Sequence, residues 1–150
     1  MDLQPADADF AQRVRLSFER QAVMRTLGAA LAEVAPGRVV ITMAHRPELT
    51  QQHGFLHAGI VSTALDSACG YAAFSLMPAD AAVLTIEFKV NLLSPARGPQ
   101  FRFAGEVTKA GRTISVVDAR AWQRDGGTES LVATMTATVM TVRGRSDLHH

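Results

Sequence analysis

The stretch QQHGFLHAGIVSTALDSACGYAA, residues 51–73, joins a turn rich in histidine and glycine to a run of small and apolar residues. The run predicts a central helix over residues 58–77, ending before Pro78 because the residue before a proline avoids the helical conformation. Asp66 is the only charged residue in this run. A helix that is apolar on most faces must be covered by the rest of the fold. The isolated carboxyl group therefore marks a candidate functional site.

The segments before the central helix predict one helix followed by two strands. Apolar residues at four-residue spacing, with charged residues between them, indicate an amphipathic helix over about residues 7–27. Two extended segments follow at 29–35 and 37–45, and the Pro36-Gly37 pair marks the turn between them. The core is expected to span about residues 28–142, and residues 143–150 are expected to form a solvated tail.

After Pro78 the sequence changes to the alternating pattern of β-strands. In residues 81–93, Leu84, Ile86 and Phe88 alternate with polar residues. Further strands are predicted at 100–109, 112–124 and 130–142, separated by hairpin turns. The four strands are expected to form one antiparallel meander. We predict a single α+β domain over residues 1–150, in which an antiparallel sheet wraps around the long central helix.

Composition excludes several classes of function. With 15 basic and 14 acidic residues the net charge is +1, so no general attraction to nucleic acid or anionic lipid is expected. Cys69 is the only cysteine, which excludes an internal disulfide and is typical of a reducing cytoplasm. Neither a signal peptide nor a membrane span is expected, because the first residues lack a basic stretch before an apolar run and the central run contains Asp66.

The order of elements and the stretch 51–73 resemble the hotdog fold, and within it the PaaI-like acyl-CoA thioesterases of phenylacetate degradation. The resemblance covers roughly residues 37–142. The family motif is Asn or Gln, a turn ending in His-Gly-Gly, and an acidic helix residue eight positions after the first glycine. Gln51, His57, Gly59 and Asp66 match this motif, and Ala58 takes the place of the first glycine. Alanine retains the backbone N–H, although its methyl group excludes most conformations with positive φ.

The resemblance implies an enzyme that hydrolyses a medium-chain or aromatic acyl-CoA to the free acid and coenzyme A. Asp66 would act as general base or as nucleophile. The backbone N–H groups at the start of the helix would bind the thioester oxygen, and Gln51 would orient the water or the carbonyl. The candidate catalytic residues are Gln51, His57, Ala58, Gly59, Asp66 and Thr85.

Some of these residues are expected to play supporting roles. His57 is expected to hold the loop by a hydrogen bond rather than to transfer a proton, and Thr85 stands where relatives place a serine that helps to hold the nucleophilic water. Tyr71 is interpreted as a packing residue or as part of the acyl pocket. The candidates for binding the coenzyme A phosphates, which are equally well interpreted as ordinary surface charges, are Arg97, Lys109 and Arg112.

The resemblance also implies a homodimer or homotetramer with active sites at the subunit interface. No cofactor is predicted, and no metal site, because Gly54 breaks the helical spacing that His53 and His57 would need as paired ligands. Cys69 is interpreted as a buried apolar residue rather than a nucleophile. Two other functions stay open: a hotdog dehydratase or hydratase, whose own motif is absent here, and a non-catalytic acyl-CoA-binding protein.

Overall fold

The computed structural model describes residues 3–150. Two short helices come first, and a strand hairpin and a single 3-10 turn (Pro47–Leu49) lead from them to a long central helix. Four longer strands follow that helix. In chain order the elements are α1 (Phe10–Arg20), α2 (Ala22–Leu27), β1 (Ala30–Ala35), β2 (Arg38–Ala44), α3 (Ala58–Phe74), β3 (Ala82–Leu92), β4 (Gln100–Lys109), β5 (Ile114–Asp125) and β6 (Thr128–Val142).

The strands form one antiparallel sheet in the order β1-β2-β4-β5-β6-β3. The predicted α+β architecture is confirmed, but the predicted four-strand meander is wrong for β3. Only β4, β5 and β6 follow one another as hairpins, whereas β3 pairs with β6, from Ala82 opposite Val142 to Leu92 opposite Ala133. The connection from β3 to β4 spans residues 93–99 and contains Pro95 and Pro99, so it is no tight hairpin. In the sheet, β5 and β6 lie between β4 and β3, so this connection spans two strands and β3 forms an edge of the sheet.

The core lies between α3 and the face of the sheet against which it packs. Helix α3 contacts β2, β3, β4, β5 and β6, and Leu65 and Phe74 on it are completely buried. Each such side chain contributes about 1.5–3 kcal/mol on burial. At Gly105 on β4 a Cβ atom would lie 2.5 Å from the carbonyl oxygen of Ala68 on α3. Glycine is therefore required for this close approach of the helix to the sheet.

The predicted helix over residues 7–27 is divided in two at Gln21. Gln21 has φ −73° and ψ 102°, an extended conformation that ends α1 and precedes α2. On α1 the buried apolar residues are Val14 and Phe18, and on α2 they are Met24 and Leu27. In one continuous helix, the helical geometry would fix the angle between the apolar face of α1 and the apolar face of α2. The break lets both helices place their apolar faces on the same core.

Helix α3 ends at Phe74, three residues earlier than predicted. The hydroxyl group of Ser75 donates to the carbonyl oxygen of Ala72 at 2.7 Å and accepts from the N–H of Gly37 at 2.8 Å. Because Ser75 is completely buried, these bonds anchor the helix end to the β1–β2 turn. In the described part of the chain, no helix is long and apolar enough to cross a membrane.

Strand β3 is exposed along much of its length. The alternation in residues 81–93 correctly predicts a strand, but several of its apolar side chains lie outside the core of this chain, whereas Val83 and Val90 pack against the core. Ile86, Phe88 and Leu92 are exposed by 54%, 43% and 53%. Within residues 3–150 only β6 pairs with β3, so the outer edge of β3 has free backbone groups. An apolar strand with a free edge is typical of a surface that pairs with another chain.

The segment that follows β6, residues 143–150, folds back over the protein. The expectation of a solvated tail is wrong for its end, because His150 is half-buried. The ring of His150 lies 4.6 Å from the ring of Phe74, measured between centroids. His149, its neighbour, is exposed.

Candidate active site

Asp66 lies near the middle of α3 and is half-buried. The hydroxyl group of Thr85, on β3, donates a hydrogen bond of 2.8 Å to Oδ1 of Asp66. Burial raises the pKa of Asp66 above its ordinary value of 3.8, and the hydrogen bond from Thr85 opposes part of that rise. Within the described residues Oδ2 has no hydrogen-bond partner. A carboxylate held at one oxygen, with a raised pKa and a free second oxygen, can accept a proton from water.

The start of α3 presents one free backbone donor. His57 is the N-cap residue, and its Nδ1 accepts a hydrogen bond of 2.8 Å from the N–H of Gly59. The N–H of Ala58 has no partner among residues 3–150. No described residue other than glycine has a positive φ, so alanine meets no conformational penalty at position 58. Of the two predicted donors, Ala58 is therefore the one available to an oxyanion at this positive end of the helix dipole.

Gln51 lies beside this donor. Its side-chain oxygen accepts a hydrogen bond from the backbone N–H of His53, while its amide nitrogen has no partner within the described residues. Gln51 and Ala58 line the same cavity, of about 380 Å³, together with apolar residues that include Phe55 and Leu92. We call Gln51 and Ala58 the amide half-site, because both present N–H groups to this cavity.

The carboxyl group lies in a different cavity. Asp66 and Thr85, which we call the carboxyl half-site, line a cavity of about 260 Å³ that shares no lining residue with the first one. Asp66 follows Ala58 by eight helical residues, which corresponds to about 12 Å along the helix axis. One thioester carbonyl cannot contact both groups across that distance. A single chain therefore holds the two half-sites apart.

Only some of the other residues that line the cavity of the carboxyl half-site could be identified from the sequence. Tyr71 lines it, with its hydroxyl 3.1 Å from Oγ of Ser17, and burial raises the pKa of Tyr71. Sequence reasoning missed Gln21 and Ser67, which also line it and are joined by a hydrogen bond of 3.0 Å from the Ser67 hydroxyl to the Gln21 side-chain oxygen. It also missed His150. Only the position of Ser67 next to Asp66 offered a signal, since the other two come from distant segments.

The basic residues predicted to bind coenzyme A lie outside both cavities. The side chains of Arg97, Lys109 and Arg112 are exposed, and none of them lines either cavity. Arg97 follows Ala96, which lines the cavity of the amide half-site. Lys109 ends β4, and Arg112 lies in the turn that leads to β5. The structure thus places one cation beside the amide half-site and two at the β4–β5 turn.

Cys69 is completely buried on α3. Burial and the nearby carboxylates of Asp66 and Asp118 raise the pKa of its thiol well above the usual range. The thiol form is an inert apolar group, as the sequence interpretation expected. Within residues 3–150, no group of three or more His, Cys, Asp and Glu side chains could hold a metal ion.

The family model of the thioesterase superfamily matches residues 53–130, which include Ala58, Asp66 and Thr85 but begin two residues after Gln51. An inferred esterase of Saccharolobus solfataricus is 32% identical over 104 residues, covering 69% of this chain and 74% of the relative. The chain belongs to the thioesterase superfamily. Membership in the thioesterase superfamily confirms the predicted class of enzyme, a thioester hydrolase.

Solved structures confirm the fold of this thioesterase. The crystal structure of a thioesterase family protein from Silicibacter pomeroyi superposes with a TM-score of 0.89 at 61% identity, covering 90% of this chain and 99% of that chain. The PaaI protein of the E. coli phenylacetic acid degradation operon superposes with a TM-score of 0.82, covering 93% and 97% of the two chains. At 19% identity, the similarity to the PaaI protein shows only that the two chains share a fold. The thioesterase therefore has the hotdog fold that its sequence resembles.

Proposed function

We propose that this chain is an acyl-CoA thioesterase that hydrolyses a medium-chain or aromatic acyl-CoA to the free acid and coenzyme A, with Asp66 as its catalytic carboxylate. The observation that carries this proposal is the pair of Asp66 and Thr85. A carboxyl group in an apolar helix, with its pKa raised by burial and one oxygen held by a hydroxyl, has the properties of a general base. Membership in a superfamily of thioesterases supports thioester hydrolysis as the reaction.

In the proposed reaction, Oδ2 of Asp66 removes a proton from a water molecule while the water oxygen attacks the thioester carbon. The carbonyl electron pair moves onto oxygen, where the N–H of Ala58 stabilises the negative charge. Collapse of this intermediate breaks the carbon–sulfur bond, and the departing coenzyme A thiolate takes the proton from Asp66, which restores the carboxylate and leaves the free acid and coenzyme A as products. Direct attack by Oδ2 would instead form an anhydride that water then hydrolyses. Both routes use the same residues.

A second copy of the chain would unite the two half-sites. Antiparallel pairing of β3 with β3 of another copy would place the Thr85 end of one strand beside the Leu92 end of the other. Thr85 belongs to the carboxyl half-site, and Leu92 lines the cavity of the amide half-site. Each Asp66 would therefore face the Ala58 N–H of its partner. The exposed apolar side chains and free edge of β3 support a homodimer, or a homotetramer built from such dimers.

Coenzyme A carries phosphate groups and requires cations at the rim of this shared site. Arg97 lies at the amide half-site of one subunit, and the same pairing would bring it toward the β4–β5 turn of the other subunit, which carries Lys109 and Arg112. These three side chains are proposed as phosphate ligands. A cytoplasmic location stays a prediction from the single cysteine and from the nature of the substrate.

The proposal is tested by the variant Asp66→Asn with aliphatic and aromatic acyl-CoA substrates and detection of the released thiol. Turnover is expected to fall about 10²- to 10⁴-fold, the range associated with a general base. Asp118→Asn is the matched control. Like Asp66, Asp118 accepts hydrogen bonds from threonine hydroxyl groups, those of Thr108 and Thr136. Unlike Asp66, it lies outside both half-site cavities.

Full turnover by Asp66→Asn would refute the assignment. A wild-type protein that binds acyl-CoA without any release of thiol would instead favour the non-catalytic binding protein. Hydration of an enoyl-CoA without thiol release would favour the hydratase. The substrate panel, extended by an enoyl-CoA and a hydration assay, therefore separates the three functions.

A further inference from the structure

The cavity of the carboxyl half-site continues along one face of α3. Asp66, Gly70 and Phe74 recur at four-residue spacing on that face. Asp66 and Gly70 line the cavity. No heavy atom lies within 4 Å of the position that a Cβ atom would take at Gly70, so this part of the helix borders open space. The cavity thus extends from the carboxylate along the helix to Gly70 and Tyr71.

His150 lies at the far end of this face. Its ring lies 4.6 Å from the Phe74 ring between centroids, at an interplanar angle of 36°, and His150 also lines the cavity. Phe74 follows Asp66 by eight residues, which corresponds to about 12 Å along the helix axis, and the His150 ring packs against the Phe74 ring. Asp66 and His150 therefore mark opposite ends of the cavity.

The imidazole of His150 is held by a hydrogen bond at each nitrogen. Nε2 accepts from the backbone N–H of Val83 at 3.1 Å. Because Nε2 is the acceptor, the neutral ring carries its proton on Nδ1, which donates to Oγ of Ser17 at 3.2 Å. Ser17 in turn lies 3.1 Å from the hydroxyl of Tyr71. Contacts with α1, α3 and β3 therefore hold the His150 ring in place as part of the cavity wall.

We propose that the carboxyl cavity receives the acyl group and that His150 forms its inner end, so that the segment 143–150 limits the length of the acyl group. This inference rests on the proposed thioesterase activity. Coenzyme A must extend from the reacting carbon to solvent, so a cavity that ends at a fixed ring does not suit it. An acyl chain ends within the protein and suits such a cavity. Substrates whose chains reach beyond His150 are excluded.

The experiment compares His150→Ala with His149→Ala, which changes the same residue type one position earlier, where the side chain is exposed. The specificity constant kcat/KM is measured for butanoyl-, octanoyl-, dodecanoyl- and hexadecanoyl-CoA by thiol release. His150→Ala is expected to raise the ratio of kcat/KM for the longer over the shorter substrates about tenfold or more, while His149→Ala leaves it unchanged. An unchanged ratio in His150→Ala would overturn the inference.

Gly70→Leu tests the same cavity by filling it, whereas His150→Ala enlarges it. A leucine side chain would fill the open space between Asp66 and His150. We expect this variant to lower kcat/KM for octanoyl-CoA at least about tenfold more than kcat/KM for butanoyl-CoA. An equal effect on both substrates would contradict the assignment of the cavity to the acyl chain.

The two proposals fail in different ways. If the wild-type protein releases thiol and Asp66→Asn abolishes the release, but neither cavity variant changes the chain-length profile, only the inference about His150 is overturned. If the wild-type protein releases no thiol from any substrate, both proposals fail. A thermal melt of each variant identifies any loss of activity that comes from unfolding.

Discussion

The hydroxyl group of Thr85 on edge strand β3 donates to Oδ1 of Asp66 on the central helix at 2.8 Å. This bond ties the candidate catalytic carboxylate to β3, one of the two edge strands of the sheet. Oxygen Oδ2 is left for chemistry, and the surface proposed for pairing with a second subunit lies next to it. The position of the base and the position of the interface are thus set by the same strand.

The pH dependence of activity should reveal the effect of the hydrogen bond from Thr85 on the pKa of Asp66. Burial raises the pKa of Asp66, and the hydrogen bond from Thr85 lowers it, so removal of the hydroxyl raises the pKa further. In Thr85→Val we expect the acid limb of kcat/KM to move to higher pH and the rate at mildly acid pH to fall. Thr85→Ser should restore the wild-type limb. Thr108→Val, which breaks a similar bond to Asp118, is the control and should leave the limb unchanged.

Stability should depend on Asp66 in the opposite sense to activity. Because burial raises the pKa of Asp66 in the folded state, ionisation of this group destabilises the protein as the pH rises above the ordinary value of 3.8. Asp66→Asn should therefore raise Tm at neutral pH. The gain should shrink as the pH falls toward the pKa of the unfolded chain and vanish below it. A lower Tm for Asp66→Asn at neutral pH would contradict the raised pKa.

Ala58→Pro isolates the backbone donor. Ala58 is the first residue of α3, a position where proline is favoured, and His57 before it has φ −59° and ψ 140°, which a following proline tolerates. The substitution removes only the free N–H. We expect kcat to fall about 10²- to 10³-fold, as for the loss of one oxyanion donor, with an unchanged helical circular dichroism spectrum. Ala58→Gly retains the N–H and should stay active.

Complementation tests whether the half-sites meet between subunits. A heterodimer of Asp66→Asn and Ala58→Pro chains would contain one site with both defects and one with neither. We expect purified heterodimer, made by co-expression with two affinity tags, to recover about half of the wild-type turnover per dimer. Each homodimer should stay inactive. Heterodimers as inactive as the homodimers would show that each site forms within one chain.

The sequence predicted the parts of the fold that depend on local pattern. The apolar run around Asp66 indicated the central helix, and alternation indicated each strand, because burial on one face imposes the period of the element. The division of the first helix at Gln21 was not predicted, because it depends on how two apolar faces reach one core. The pairing of β3 with β6 was missed for a similar reason, since alternation does not name a partner.

For the candidate site, the sequence by itself determined which groups are present: the carboxyl group of Asp66, a turn that ends in a helix N-terminus, and Gln51 before it. Their spacing is local and matches the motif through which the sequence resembles a family of thioesterases. Only the folded structure decided that Ala58 rather than Gly59 has the free N–H, that the two half-sites lie in separate cavities, and that His150 lines one of them. The free N–H of Ala58 follows from a local bond between His57 and Gly59 that depends on the conformation of the His57 side chain. The other two facts depend on contacts between residues far apart in sequence, whose side chains meet only when the sheet closes around the helix.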